Sequence, residues 1–349
     1  MYRVTFYPTK QFAHAQQVLA GALALREQGL AELDVHSEPV APLGAHPDNL
    51  LWMDVAHRGH TSRLCFDLKD GAGIDPKHLA NADLYFKRTL LSSAGVTSPR
   101  VRPFGLNYQC YHTDLAAHRQ LDMQVFRRPR MARYVRQIRD RITMARPPAS
   151  LVLKADEFES RASDACQNTV IYFTRLWPVE GVSSEVADQR RRINTQRVAL
   201  VHGLSQAFGA RFVGGLEDTP EARAQAPSLI ARLSTRKASY VERMKDSLVG
   251  VASTGLHESI GWKFAEYIAA ARCVVSEPVR YELGDPVRAD QHYLAYRNID
   301  ECLSACDRLL SRPEVAYAMR RANERYYAQS LRPDVALLRC FQQVMAQAA

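Results

Sequence analysis

Residues Lys245 to Glu277 read KDSLVGVASTGLHESIGWKFAEYIAAARCVVSE, and the order of patterns in this stretch decides the fold. An apolar run from Leu248 to Ala252 is short enough for a buried strand. The small residues Ser253, Thr254 and Gly255 make a loop. A segment of helical length from about Ser259 to Ala271 follows, and then a second apolar run, Cys273 to Ser276. Strand, small-residue loop, helix and strand in that order form a βαβ unit, which predicts a parallel sheet. Ligands of such sheets sit beyond the carboxyl ends of the strands, where helix N-termini offer unpaired N–H groups to an anion.

Two carboxylates flank this helix start, Glu258 and Glu266, with seven residues between them. At the helical advance per residue the two side chains lie roughly 80° apart and two turns removed. That predicts Glu258 in the loop or first turn and Glu266 on the cleft-facing side of the helix. A carboxylate beside a bound phosphate is repelled by it, so Glu258 is aimed at sugar hydroxyls and Glu266 at the hydroxyls of a ribose. Taken alone, the same pair also reads as two solvated helix glutamates.

The phrases Glu258-Ser-Ile-Gly261, Glu266-Tyr-Ile-Ala-Ala-Ala and Cys273-Val-Val-Ser together resemble the donor-site motif of group-1 glycosyltransferases with the GT-B fold. The chain departs from that pattern at Ser259, where Gly is usual, and at Lys263, where an apolar residue or Pro is usual. It departs again at Arg272-Cys273, near the usual Gly-x-Pro. Further upstream, Asp83-Leu-Tyr-Phe-Lys-Arg88 and Pro103-Phe-Gly-Leu-Asn107 resemble segments that close the N-terminal, acceptor-side domain in one branch of the same enzymes. The resemblance implies an α/β chain of two Rossmann-like domains facing a central cleft. The first spans residues 1–165, the second, which binds the nucleotide-sugar, residues 166–327. It also implies a C-terminal helix, about 328–349, packing back on the first domain.

Length and composition agree with that division. The chain has 349 residues, which favours two domains over one, and 46% apolar with 24% charged residues is ordinary for a globular protein. No apolar run approaches a membrane helix, and Met1-Tyr-Arg-Val-Thr-Phe begins in a strand-like pattern without a signal-peptide layout. The seven cysteines are scattered, which argues against a disulfide framework and for a cytoplasmic protein. Cys302 and Cys306 share a helix face and read as small buried residues. The formal charge of +9 calls for an anionic partner: substrate, membrane surface or nucleic acid.

In chain order, Tyr2–Tyr7 reads as a strand, Phe12–Gln28 as a helix, and Leu33–His36, Leu50–Val55, Ser62–Asp67, Ala82–Phe86 and Arg100–Phe104 as further strands of a mostly parallel domain. Arg127 to Arg146 (RRPRMARYVRQIRDRITMAR) has apolar residues at helical spacing under an arginine-rich face. It reads as a solvated helix or as one docking on an anionic membrane, which would place the protein peripherally on the inner face. Tyr134 is its only aromatic and no nucleic-acid reader motif is present, so no nucleic-acid partner is expected. Thr169–Phe173 opens the second domain, with Arg175 at the strand exit like the arginine of the family's Gly-Arg-Leu phrase.

The chemistry implied is transfer of a sugar from a nucleotide diphosphate sugar to a glycan or lipid-linked acceptor, as in surface polysaccharide synthesis. Negative charge on the departing diphosphate needs fixed positive charge, and no metal is expected. Arg175, Lys263 and backbone N–H groups from Gly255 to Gly261 are candidates, with Glu258 at the sugar. The remaining contacts to the nucleotide-sugar fall to Glu266, Ser253, Gly255, His257, Ser259 and Gly261. Arg175 also reads as a surface ion pair. An inverting enzyme needs a general base on the first domain. His14, Asp67 and Asp70 lie near loop ends, as do Asp54 and His57, and Lys87 and Asn107 stand at strand exits. The E-x7-E resemblance is commonest among retaining enzymes, so retention is favoured. An epimerase or phosphorylase of the same fold, and a non-enzymatic basic protein, remain as alternatives.

Overall fold

The structure, a computed structural model, describes residues 1–10, 12–40, 49–91, 98–126 and 152–348. The arginine-rich segment 127–146 lies outside the described residues. The chain divides into two compact units. The first comprises Met1–Glu157, Tyr281–Pro286 and Ala328–Ala349, and the second Phe158–Arg280 and Val287–Tyr327. The division therefore falls after Glu157 rather than after 165, and a short excursion at 281–286 leaves the second unit for the first. No helix among the described residues is long and apolar enough to cross a membrane.

The first unit is built on β1 (Tyr2–Phe6), α1 (Gln16–Glu27), β2 (Ala31–Val35), β3 (Leu50–His57), β4 (His60–Asp67), α2 (Pro76–Ala80), β5 (Leu84–Lys87), β6 (Leu90–Leu91), β7 (Val101–Pro103) and α3 (Leu115–Val125). Its main sheet has the order β2-β1-β3-β4-β5-β7. Five of the six strands run the same way, and β3 is reversed, pairing antiparallel with both β1 and β4. The sheet is thus mostly parallel as expected, and its one reversed strand has a local cause. Only Arg58 and Gly59 separate β3 from β4, with φ of 50° and 84°. Two positive φ values make the hairpin turn whose twist matches paired strands, whereas a parallel crossover needs a dozen residues or more. The short β6 pairs with Tyr281–Glu282 from the excursion.

Alternation along β3 sends Leu51, Met53 and Val55 into one core and Leu50 and Trp52 into another. The first core is closed by α1, by α3 and by the C-terminal helix Pro333–Ala348, through Leu337, Cys340, Phe341 and Val344.

The second unit contains β8 (Gln167–Thr174), α4 (Ser184–Phe208), β9 (Phe212–Leu216), α5 (Lys237–Asp246), β10 (Ser247–Ala252), α6 (Trp262–Ala269), β11 (Cys273–Ser276), and, after β12 (Tyr281–Glu282) of the first unit's excursion, β13 (Leu294–Ala295), α7 (Ile299–Ser311) and α8 (Pro313–Tyr326). Its sheet is parallel throughout, in the order β9-β8-β10-β11-β13. Counted within the unit this is the doubly wound order 2-1-3-4-5. One face packs on α4, α7 and α8 through Val170, Tyr172, Val249, Val251 and Val275, with Cys302 and Cys306 fully buried there. The other face carries Phe173 against Tyr240 of α5 and Gly250 against Tyr267 of α6. A Cβ on Gly250 would lie 2.5 Å from the Tyr267 ring, so glycine is what lets α6 approach β10.

Candidate functional site

A doubly wound parallel sheet opens a crevice at the carboxyl ends of the two strands where the connections change face. In the second unit these are β8 and β10. Helix α4, which follows β8, covers the Tyr172 face, and α5, which precedes β10, covers the Phe173 face. The exits of those strands are Thr174-Arg175 and Ser253-Thr254. Tyr172 Oη and Ser253 Oγ share a hydrogen bond of 2.9 Å that joins the two exits.

The crevice is cationic. Arg175 is exposed. Arg197 of α4 reaches back beside it and donates to the Arg175 carbonyl at 2.7 Å, and its guanidinium lies 4.3 Å from the Trp177 ring centroid. Asn194 fixes that indole's segment by bonding both the Trp177 N–H and its carbonyl. Arg197 is only 8% exposed, and its Nε is buried with no hydrogen-bond partner among the described residues. Burial holds its pKa below the ordinary arginine range; Tyr172 and Glu277 act against that and Arg175 with it. A buried guanidinium with an unused donor is poised for an anionic acceptor.

Lys263, on the first turn of α6, belongs to the same field. Burial is the main cause of its pKa of about 8; Glu266 pulls the value up, while Lys237 and Arg197 push it down. Lys237 and Lys263 flank Tyr240, with ammonium groups 5.1 and 5.7 Å from its ring centroid. Glu266 is fully buried and its carboxylate is ion-paired with Lys237. The expectation of a cleft-facing Glu266 is not met: the carboxylate is buried and closed off by Lys237, the first residue of α5. Glu258 has the opposite surroundings, more than half exposed and 3.2 Å from Arg280, also more than half exposed. The two glutamates of the motif therefore lie in different surroundings, one exposed and one buried.

The loop that carries Glu258 is strained. His257 and Glu258 both take φ of 57°, a left-handed conformation that costs roughly 1–2 kcal/mol per non-glycine residue. His257 N–H donates to Gln189 Oε1 at 3.1 Å, and the Gly255 N–H donates to the buried Ser259's carbonyl at 2.8 Å. Gly261 takes the N-cap position of α6 without a side-chain cap. Strain of this kind collects where a loop must present particular groups. The exit of β10 is further tied by Glu277, at the exit of β11, which accepts from the Thr254 N–H at 2.6 Å and hydroxyl at 2.8 Å and from Gln196 Nε2 at 2.9 Å.

Sequence reading missed Arg197, Lys237, Glu277 and Trp177. Arg197 closes the run Arg190-Arg-Arg-Ile-Asn-Thr-Gln-Arg197, in which no spacing marks one arginine out. Lys237 becomes visible only in the folded unit, where the start of α5 meets Glu266 of α6.

In the first unit the expected residues lie at the carboxyl edge of the sheet and fall into two groups. Asp67 and Lys87 are 1% and 0% exposed and 3.2 Å apart, and Asp67 also accepts from Tyr85 Oη and the Lys69 N–H. They neutralise each other inside the protein, which corrects their placement as groups facing an acceptor. Asp70 is held by Arg88. Asp54, likewise, is bound by Arg63 and Tyr7. His14 and Asn107 form the other group: His14 Nδ1 and Asn107 Oδ1 are 2.7 Å apart, while Asn107 Nδ2 donates to the His14 carbonyl and to Gln17 Oε1. With both amide hydrogens so used, Oδ1 faces the ring, which assigns the proton to Nδ1 and the lone pair to Nε2. Burial first and Arg88 second lower the His14 pKa to about 4, against the Asn107 bond. His14 is a neutral imidazole at pH 7.

Two Rossmann-like units make up this chain. No protein-family model and no curated protein matches it. Similar solved structures include the C-terminal domain of a glycosyl transferase group 1 family protein, LpcC, from Francisella tularensis (12% identical, TM-score 0.35, covering 51% of this chain and 97% of that one). An alpha-glucosyltransferase in complex with UDP-glucose and DNA containing an abasic site is 12% identical, with TM-score 0.44 over 99% of both chains. MnaA of S. aureus with UDP is 11% identical, with TM-score 0.43, over 99% of this chain and 96% of that one. Overlaps this loose carry neither substrate nor reaction to this chain.

Proposed function

We propose that the chain transfers a sugar from a nucleotide diphosphate sugar to a glycan or lipid-linked acceptor, in surface polysaccharide synthesis and without a metal. The observation that carries this reading is the buried, underused guanidinium of Arg197 beside Arg175 at the crevice between β8 and β10, where this sheet order favours an anionic ligand. As the anomeric C–O bond breaks, charge grows on the diphosphate and oxocarbenium character on the ring. Arg175 and Arg197 stabilise the leaving group, each contact being worth about 2–4 kcal/mol in the transition state. Lys263 adds a third cation, which regains its full charge once an anion is beside it. Glu266 acts through Lys237 and Lys263 by holding the two ammonium groups in place, and Glu258 takes the sugar hydroxyls.

The motif resemblance favours retention of anomeric configuration. The His14–Asn107 pair supports a second reading, inversion, because a neutral imidazole held in place by a neighbouring amide is the kind of group a general base for an acceptor hydroxyl requires. The anomeric configuration of the product decides between them. The segment Arg127–Arg146 is proposed to contact an anionic membrane surface, which binding to vesicles with and without anionic lipid would test.

A thermal-shift screen tests the function. At least one of UDP, GDP and CMP raises the melting temperature of the wild type, and Arg175→Ala abolishes the rise; at a hundredfold excess over Kd a ligand adds about 2.7 kcal/mol. Silence toward all three, joined to salt-sensitive RNA or DNA binding, would favour a non-enzymatic basic protein. Product analysis with a labelled nucleotide-sugar then separates transfer from epimerisation and phosphorolysis.

A further inference from the structure

The residue that ties the exit of β10 is itself an anion. Glu277 Oε2 takes the Thr254 backbone N–H and hydroxyl at 2.6 and 2.8 Å, and its Oε1 takes Gln196 Nε2 at 2.9 Å. One backbone N–H, one hydroxyl and one amide converging on two oxygens is also the donor set a phosphate would use. Thr254 stands at the carboxyl end of one of the two crevice strands, and Gln196 is the neighbour of Arg197 on α4. Arg197 in turn feels the Glu277 charge as an attraction. The chain therefore supplies its own negative group to the place where its sheet order calls for one.

We propose that Glu277 is an internal stand-in for a ligand's phosphate: it occupies the Thr254 donors while the crevice is empty and competes with the diphosphate for them. The proposal rests on the reading of this crevice as an anion site. Two anions cannot share one backbone N–H and one hydroxyl, and a carboxylate left beside a bound diphosphate repels it. A phosphate ligand must displace Glu277 from Thr254 to bind, so Glu277 sets the affinity for the charged part of the ligand and leaves its uncharged part alone. If Glu277 were only a structural pin for the loop, removing its charge would leave affinity unchanged or weaken it.

Isothermal titration of the full chain with UDP, GDP, CMP, inorganic pyrophosphate and uridine at fixed ionic strength separates these cases. Glu277→Gln keeps the size and one acceptor oxygen and removes the charge. It is expected to bind the favoured phosphate ligand at least about tenfold tighter than the wild type, in line with deleting a near neighbour charge at a partly solvated site. Its response to uridine is expected to match the wild type's. If the Gln variant does not fold, Glu277→Ala is read in the same way. Equal or weaker phosphate binding by the variant, with the wild type still binding nucleotide, overturns the stand-in and leaves the proposed function intact. No binding of any probe by either protein overturns both.

Discussion

At the scale of single residues, charge and burial are in conflict at Lys263, and the conflict is measurable. Burial lowers its ammonium to about 8, against an ordinary value near 10.4. Between those values the unfolded chain binds more protons than the folded one, so stability from this group rises with pH through that window, and the whole penalty stands below about 8. Lys263→Met should therefore melt roughly 2–4 °C higher than the wild type at pH 7 without ligand, with the gap closing toward pH 10. The same variant should lose nucleotide-induced stabilisation. Differential scanning calorimetry across pH checks both. His14 gives a second test. With a pKa of about 4, a base at this position keeps kcat/KM flat above pH 5 and loses it as the ring protonates near pH 4. His14→Ala should then cost about 10²–10⁴ in kcat, whereas a retaining enzyme that makes no use of His14 would show neither effect. Of these residues Arg175, Lys263 and His14 can be named as candidates from the sequence, because each stands at a strand exit or helix start. Arg197 and Lys237 cannot. Their positions depend on which turn of a long helix faces the sheet and on which helix start meets Glu266, and the sequence around them carries no such mark.

At the scale of elements, the β-loop-α stretch from Leu248 to Ser276 was legible because its apolar runs, small-residue loop and helical segment differ so sharply in period. The helix was read too long at both ends. It runs from Trp262 to Ala269, since the strained His257-Glu258 loop consumes the residues before Gly261, and Ala271 ends it with φ of 50°. Backbone bonds from Arg272 N–H to the Tyr267 carbonyl and from Ala271 N–H to that of Ile268 close the helix in the way glycine usually permits. Arg272, fully buried, then caps the Ala270 and Lys245 carbonyls. This accounts for an arginine just after the place where the family motif has glycine. Ala271→Gly should relieve the left-handed backbone and raise stability by up to about 1 kcal/mol in urea unfolding. A loss of stability would mean that the Ala271 side chain contributes more by packing than its φ costs. The reversal of β3 was hidden for a different reason: both strands carried the right apolar pattern, and only the two-residue turn told their relative direction.

At the scale of the whole chain, two α/β units are legible from length and repeated β-loop-α patterns, and the return of the C-terminal helix to the first unit is implied by the motif resemblance alone, since no local pattern announces where a returning helix packs. The excursion at 281–286 carries no sequence mark at all. Leu337, Cys340, Phe341 and Val344 lie in the core of the first unit. Fully burying large apolar side chains is worth about 1.5–3 kcal/mol each, and domains are stable by only about 5–15 kcal/mol in all. A chain ending at Tyr327 should therefore expose residues 1–157 to limited proteolysis while the second unit resists it. The central claim is that a nucleotide diphosphate group sits at the carboxyl ends of β8 and β10. Its most direct test is a crystal structure of the protein with the nucleotide that stabilises it most. The account predicts phosphate density within hydrogen-bond distance of the Arg175 and Arg197 guanidinium groups. Phosphates bound elsewhere, with both arginines making no contact to them, would contradict it.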